Sequence, residues 1–273
     1  MILLPTLSRH LKKSDTLRLL EYNMGEGVRA FSSTREGGVS TGAYAGFNIT
    51  HYCGDEVGAV AMNRKTLCTE LGIGDDRLIL PRQTHGCEVL CVDEHFLSLP
   101  SAEQTEILHA KDAVVTDVPR LCIGVSTADC VPLLLYDAVK GVVAAVHAGW
   151  RGTVACIAQK AFETMRGRYN SLAADVKVVI APSISLAAFE VGDEVYDAFA
   201  TALLPVDKIA RRIENKWHID LWEANRLQLL DCGVCADAIE VCGVCTFNSC
   251  DEFFSARRLG INSGRIFNGI MLV

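Results

Sequence analysis

The stretch Val142-Val143-Ala144-Ala145-Val146-His147-Ala148-Gly149-Trp150-Arg151-Gly152 constrains this chain more than any other. Its small and branched apolar residues read as a strand. The run ends on a histidine, and a glycine-rich turn then leads into residues 153–158, which have helical spacing. A sheet holds such a histidine rigidly and the turn leaves room for a ligand, so His147 is placed for chemistry. A histidine satisfied within the core is the usual reading of such a stretch alone. The partners that converge on it decide between the two.

The remaining chain reads as short strands and helices in irregular order. Leu17–Leu20 and Val28–Phe31 flank the turn signal Asn23–Gly27 and predict a hairpin. Val57–Leu71 has helical spacing with acidic residues before it and Gly72 after it. Further helices are expected over 155–166, from 189 to about 203, and over 222–230. Strands are expected over 87–92, 113–116, 121–126, 133–136, 176–180, 216–221, 239–247 and at the C-terminal end, with a polar connection over 98–112. There is no regular βαβ unit, internal repeat or obvious linker. The expected fold class is therefore α+β in a single domain over 17–273, behind a loosely held leader, 1–16.

Composition narrows the function. The 273 residues are half hydrophobic, enough for a real core. A net charge of −7 argues against nucleic acid or an anionic membrane as the main partner, while a local arginine cluster could still hold phosphate. No stretch approaches the roughly 18 apolar residues of a membrane span. The N-terminus, apolar first and basic after, reverses the order of a secretory signal, which predicts a cytoplasmic protein. In that setting most of the twelve cysteines are expected to be buried thiols rather than disulfides.

Two Cys-x-x-Cys pairs, Cys232/Cys235 and Cys242/Cys245, suggest a four-cysteine zinc site. Only six residues separate the pairs, against roughly 12–20 in such sites. A strand through Cys242 and Cys245 would also point them to opposite faces. His85, Cys130 and His147 are better candidates, because each lies where an extended segment meets a turn. Two imidazoles and a thiolate make a zinc set with one position free, although spacing alone also allows three unconnected residues. Arg35, in the glycine- and hydroxyl-rich loop Ser33–Gly42, could contribute to an anion cradle, and the loop could equally be plain surface.

Several blocks in this order resemble the YfiH family, whose members are also labelled laccase-domain polyphenol oxidases or purine nucleoside phosphorylases. They are Ser33-Thr34-Arg35-Glu36-Gly37-Gly38-Val39-Ser40, Asn48-x-x-His51 before Gly54-Asp55, Asn63-Arg64, Gln83-Thr84-His85-Gly86, Thr127-Ala128-Asp129-Cys130-x-Pro132 and His147-Ala148-Gly149-Trp150-Arg151-Gly152. Phe189-Glu190-Val191-Gly192, Asp220-Leu221-Trp222-x-Ala224-Asn225-Arg226-Leu227 and Phe253-Phe254-Ser255-x-Arg257-Arg258 continue the likeness, which covers roughly residues 28–273. One stretch, Ala181–Ala188, departs from the family's Gly-Pro-x-Ile-Gly-Pro pattern.

The resemblance implies a four-layer α-β-β-α sandwich of mixed sheets, similar to the catalytic domain of cytotoxic necrotizing factors. It implies a zinc ion on His85, Cys130 and His147, with copper the less favoured metal. The implied chemistry is phosphorolysis of adenosine, inosine and methylthioadenosine, with some adenosine deamination. For phosphate the candidates are Arg35 and Arg151 or Arg64. Asn48 and Gln83 are candidates for reading the nucleoside, and Asp129 for orienting groups or handling protons. A metal-free hydrolase with Cys130 as nucleophile is the alternative. A multicopper laccase is disfavoured, because the chain has seven histidines and no His-x-His pair.

Overall fold

The structure, a computed structural model, describes residues 10–13 and 17–273. Most of the expected leader therefore lies outside the described residues. In chain order the strands are β1 (His10–Lys13), β2 (Arg18–Tyr22), β3 (Val28–Ser33), β4 (Leu78–Ile79), β5 (Val89–Cys91), β6 (Ala113–Thr116), β7 (Cys122–Thr127) and β8 (Val131–Asp137). They continue as β9 (Val142–Ala148), β10 (Val176–Ile180), β11 (Glu190–Val191), β12 (Ala210–Ile213), β13 (Lys216–Ile219), β14 (Ile239–Val241) and β15 (Ile266–Leu272). The helices are α1 (Val57–Leu71), α2 (Glu94–Ser98), α3 (Ser101–Ile107), α4 (Trp150–Val154), α5 (Ile157–Tyr169), α6 (Asp193–Thr201), α7 (Val206–Ile209), α8 (Leu221–Asp231) and α9 (Ala256–Leu259).

Two six-stranded mixed sheets stack face to face. Sheet one has the order β1-β2-β3-β15-β7-β4 and sheet two β14-β10-β8-β9-β6-β5; a small third sheet is β11-β13-β12. Neighbours in the large sheets are antiparallel except β4 on β7, β5 on β6 and β14 on β10. The strand period of two sorts the core into three layers. Val142, Ala144 and Val146 of β9 face outward with Phe162 and Met165 of α5 and Ala224 of α8. Val143 and Ala145 face inward, toward Ile123 and Val125 of β7 and Ile270 of β15. On the far side, Phe31, Cys122 and Phe267 of sheet one pack with Leu67 and Leu71 of α1. Helix, sheet, sheet and helix are thus the four layers expected of this α+β chain. Because both faces of each large sheet are covered, β7, β8, β9 and β15 are buried throughout and read as continuous apolar runs.

Helix α1 keeps the expected bounds: the Glu56 carboxylate accepts from the Gly58 and Ala59 N–H groups, and Gly72 ends the helix with φ 65°. The hairpin also forms, with Leu19 opposite Ser33 and Tyr22 opposite Ala30. Four expectations need correction. The helix expected over 155–166 is α5, which starts at Ile157 and runs on to Tyr169; an additional short helix, α4, precedes it, and Cys156 between them has a left-handed conformation (φ 58°). The connection at 98–112 contains α3. Residues 190–191 are a strand edge, so the next helix starts only at Asp193. Finally, β14 stops at Val241, and Gly243 turns away with φ 67°. The alternation argument against Cys242 and Cys245 therefore fails, but among the described residues these cysteines still form no metal-ligand cluster. No described helix is long and apolar enough to cross a membrane.

Candidate active site

The site forms at one end of the sandwich because two connections cross between the sheets there. Residues 80–88 lead from β4 in sheet one to β5 in sheet two and carry His85. Residues 128–130 lead from β7 in sheet one to β8 in sheet two and end on Cys130. His147 comes from β9, where it pairs with Pro132 of β8, so Cys130 is its diagonal neighbour on the inward face. The ligand atoms of His85, Cys130 and His147 all lie within 4.8 Å of one another. The imidazoles meet edge to face with centroids 5.0 Å apart. His85 (φ 62°) and Asp129 (φ 85°) both have left-handed backbone, a conformation L-residues hold only when their surroundings fix it.

Asp112, at the end of the expected polar connection over 98–112, organises this cluster. It is fully buried. Its carboxylate accepts from the backbone N–H groups of Thr84 (3.2 Å), His85 (3.0 Å) and Gly86 (2.8 Å) and pairs with His147 Nδ1 at 2.7 Å. The His147 N–H in turn donates to the Asp112 carbonyl at 2.7 Å. One carboxylate thus fixes the His85 loop and the His147 ring, with Nδ1 on Asp112 and Nε2 the ring nitrogen that meets Cys130. An acidic residue at the head of the apolar strand Ala113–Thr116 was the available signal: buried there, it must have partners.

Charge in the cluster is strongly coupled. Burial by itself would push the Cys130 thiol up, but the His147 charge and hydrogen bonds from His147 and His85 outweigh it, bringing the thiol down to about 6. Burial would lower His147, yet the Cys130 thiolate and Asp112 carry it up to about 9. Asp112 is likewise held below the usual carboxylate range: burial opposes this, and the His147 partner with the backbone N–H groups prevails.

The donor set fits a metal ion. A soft thiolate and two imidazoles converge, and one imidazole is braced by a carboxylate, as metal-bound histidines usually are. The backbone leaves room for an ion as well: a Cβ on Gly149 would stand 3.0 Å from His85 Cδ2 and 3.2 Å from Cys130 Sγ.

Two lobes open from the cluster. The more enclosed one, about 220 Å³, is lined by Tyr52, Gln83, Ser126, Thr127 and Arg265 beside His85, Cys130 and His147. The other, about 400 Å³, is lined by Ile184, Phe189 and Arg257 with His85 and Cys130. Ala128, Ala256 and Ile261 border both, and Ile261 is 71% exposed. Gln83 is therefore at the site; its amide accepts from the Ser126 N–H (2.7 Å) and donates to the Ser126 carbonyl (2.8 Å), and the Tyr52 hydroxyl donates to it. Burial, first among the causes, pushes that hydroxyl up to about 12.

Asp129 also lines the wider lobe; its carboxylate accepts from Thr246 Oγ1 and the Arg257 N–H, both at 2.7 Å, and braces the loop before Cys130. The other expected residues stand further back. Asn48 is buried; its Oδ1 accepts from the Arg265 N–H and its Nδ2 donates to Asp55. Arg35 donates to the Cys250 and Ala45 carbonyls and lies over the Phe254 ring. Arg64 pairs with Asp75 and the Leu78 carbonyl. Arg151 is exposed on α4, its guanidinium 4.3 Å from the Trp150 ring centre. None of these last three lines either lobe. The lobe arginines, Arg257 and Arg265, are not among the expected site residues; nothing in their spacing ties them to His147. The divergent stretch 181–188 reaches the site through Ile184, whose N–H donates to the Asp129 carbonyl.

A four-layer α+β sandwich with a His-Cys-His cluster at the mouth between its sheets defines a recognisable class. Residues 29–273 match the family described as multi-copper polyphenol oxidoreductase laccase, and the chain belongs to this laccase-like family, that of the YfiH proteins. It is 48% identical over 247 residues to a purine nucleoside phosphorylase of Bacteroides thetaiotaomicron, covering 90% of this chain and 92% of the relative. It is 46% identical over 247 residues to adenosine deaminase RL5 of an unknown prokaryote, covering 90% and 94%. The crystal structure of YlmD from Geobacillus stearothermophilus superposes with a TM-score of 0.88 at 29% identity, over 97% of this chain and 99% of that one.

Proposed function

We propose that this chain is a zinc-dependent purine nucleoside phosphorylase acting on adenosine, inosine and methylthioadenosine, with hydrolytic deamination of adenosine as a second reaction. The observation that carries the reading is the convergence of His85, Cys130 and His147 between two lobes, in a chain whose close relatives are named for these two activities. A zinc ion on the three donors would supply a Lewis acid that polarises a substrate oxygen or activates water.

The chain's own residues account for the rest of the chemistry. Phosphorolysis builds positive charge on the ribose as the base departs, so phosphate and purine must be held on opposite sides of the sugar. At 220 Å³ the enclosed lobe is smaller than the roughly 300–1,000 Å³ of a pocket for a drug-sized ligand. It suits phosphate and part of the sugar, with Arg265, Tyr52 and Ser126 as hydrogen-bonding groups. The wider lobe suits the purine, with Phe189 and Ile184 as apolar surface and Arg257 beside them. The exposed Ile261 at the shared rim gains burial when a ligand fills the site. Asp112 keeps His147 Nδ1 protonated and so holds Nε2 ready as a donor.

The decisive assay offers inosine and adenosine with and without phosphate. Ribose 1-phosphate formed only when phosphate is present is the expected result; hydrolysis to free ribose at the same rate without phosphate would refute phosphorolysis. The coupled Cys130–His147 charges favour one second reading, a Cys-His hydrolase with Cys130 as nucleophile. Trapping of substrate carbon on Cys130 would establish it. Multicopper oxidation draws support from the family's description, but it needs a further cluster of imidazoles, and among the described residues there is one candidate metal cluster.

A further inference from the structure

Outside the active site, a thiol and an amine meet unusually closely. Lys160 Nζ lies 2.8 Å from Cys87 Sγ. That is an oxygen-like hydrogen-bond distance, shorter than the larger sulfur atom ordinarily allows, and one bridging atom would fill it. Each side chain is held there by a different part of the fold. Cys87 follows Gly86, whose N–H donates to Asp112 at 2.8 Å and whose carbonyl would stand 3.1 Å from a Cβ on Gly152. Lys160 sits on the first turn of α5, its N–H donating to the Cys156 carbonyl at 3.0 Å. Among the described residues no carboxylate pairs with the Lys160 ammonium.

We propose that Cys87 and Lys160 form an oxidation-dependent cross-link through a single oxygen, Cys87 Sγ–O–Nζ Lys160, which ties the loop carrying His85 to α5. A hydroperoxide is the oxidant. In the first step the Cys87 thiol takes one oxygen from hydrogen peroxide to become a sulfenic acid, and one water leaves. In the second, the sulfenic O–H and one amine N–H each give up hydrogen to a second peroxide, which leaves as two waters while the O–N bond forms. Sulfur and nitrogen each lose two electrons, and the two peroxides accept all four.

The consequence follows from position. The link joins residues 73 apart in sequence, and it fixes the 80–88 loop two residues from His85. Closing so long a loop restricts the unfolded chain and therefore stabilises the fold.

The test treats the full-length protein with hydrogen peroxide, digests it without reductant and maps the peptides by mass spectrometry. The expected product joins the Cys87 and Lys160 peptides and weighs their sum plus one oxygen minus two hydrogens. It disappears with dithiothreitol and does not form in Lys160→Arg, which keeps the helix and the cation. Thermal denaturation of the treated wild type should shift upward by several degrees, reversibly, with no shift in Lys160→Arg. Recovery of Cys87 in a disulfide with Cys156, or as a sulfinic acid on an unlinked peptide, would overturn the proposal.

Discussion

The Asp112 carboxylate is the residue on which the site depends most directly. Removing its charge while keeping its shape, as in Asp112→Asn, leaves His147 free to take the wrong tautomer and loosens the His85 loop. Loss of a carboxylate behind a metal-bound histidine typically costs about 10–100-fold in metal affinity or activity. A direct zinc titration of Asp112→Asn should show a weakening in that range with the circular dichroism spectrum unchanged. Wild-type affinity would mean that the 2.7 Å His147 contact carries no metal-site role.

The coupled charges also make a pH prediction for the metal-free protein. The Cys130 thiol falls from an ordinary value of 9.0 to about 6 on folding. Its contribution is complete above the unfolded value and is lost as pH falls through about 6. His147 rises from 6.5 to about 9, so its contribution is complete below 6.5 and is lost as pH rises through about 9. Between 6.5 and 9 one contribution grows as the other shrinks, so chemical denaturation of the metal-free protein should show nearly constant stability across this window and a loss as pH falls below about 6.5. In Cys130→Ala the loss on the acid side through pH 6 should disappear, because the thiolate responsible for it is gone.

Among the elements, the turn from β9 into α4 couples fold to site. Gly149 leaves the close approach beneath His85, Cys130 and His147, and a methyl there presses on His85 and Cys130, which must give by a few tenths of an ångström. Gly149→Ala should fold, bind zinc poorly and lose turnover, measured as metal content after gel filtration beside activity. By contrast, the Glu56 cap of α1 serves a layer remote from the site. Glu56→Ala should cost about 0.5–2 kcal/mol of stability, read by denaturant titration, with kcat unchanged. Phe162 of α5 packs fully buried against sheet two. Phe162→Ala should cost about 3–5 kcal/mol and lower the yield of folded protein.

At the scale of the whole molecule, the sandwich brings together candidate ligands 45 and 17 residues apart in sequence, because the β4–β5 and β7–β8 crossings occur at the same end. Each of the three was legible because a strand signal met a polar turn beside it. Helix α1 was legible for a related reason, since its period and its glycine stop act within a few residues. The break at Cys156 was not: helical spacing runs through it, and only packing explains the left-handed residue. Asp112, Arg257 and Arg265 escaped because their roles arise from sheet pairing across the mouth, and no local period encodes which loops share an end. Arg35 and Arg64 carry the sequence marks of anion-binding residues on a loop and a helix, but backbone carbonyls and an aspartate occupy their guanidinium groups.

The central claim is that the His85–Cys130–His147 cluster binds the metal on which phosphorolysis depends. The measurement is to strip the protein of metal with a chelator, add zinc back in fractional steps, and follow ribose 1-phosphate from inosine and phosphate. The account predicts no product without metal, activity rising linearly to a plateau at one zinc per chain, and no recovery in His147→Ala. Full turnover by the metal-free protein would contradict it and assign the chemistry to Cys130 as a nucleophile.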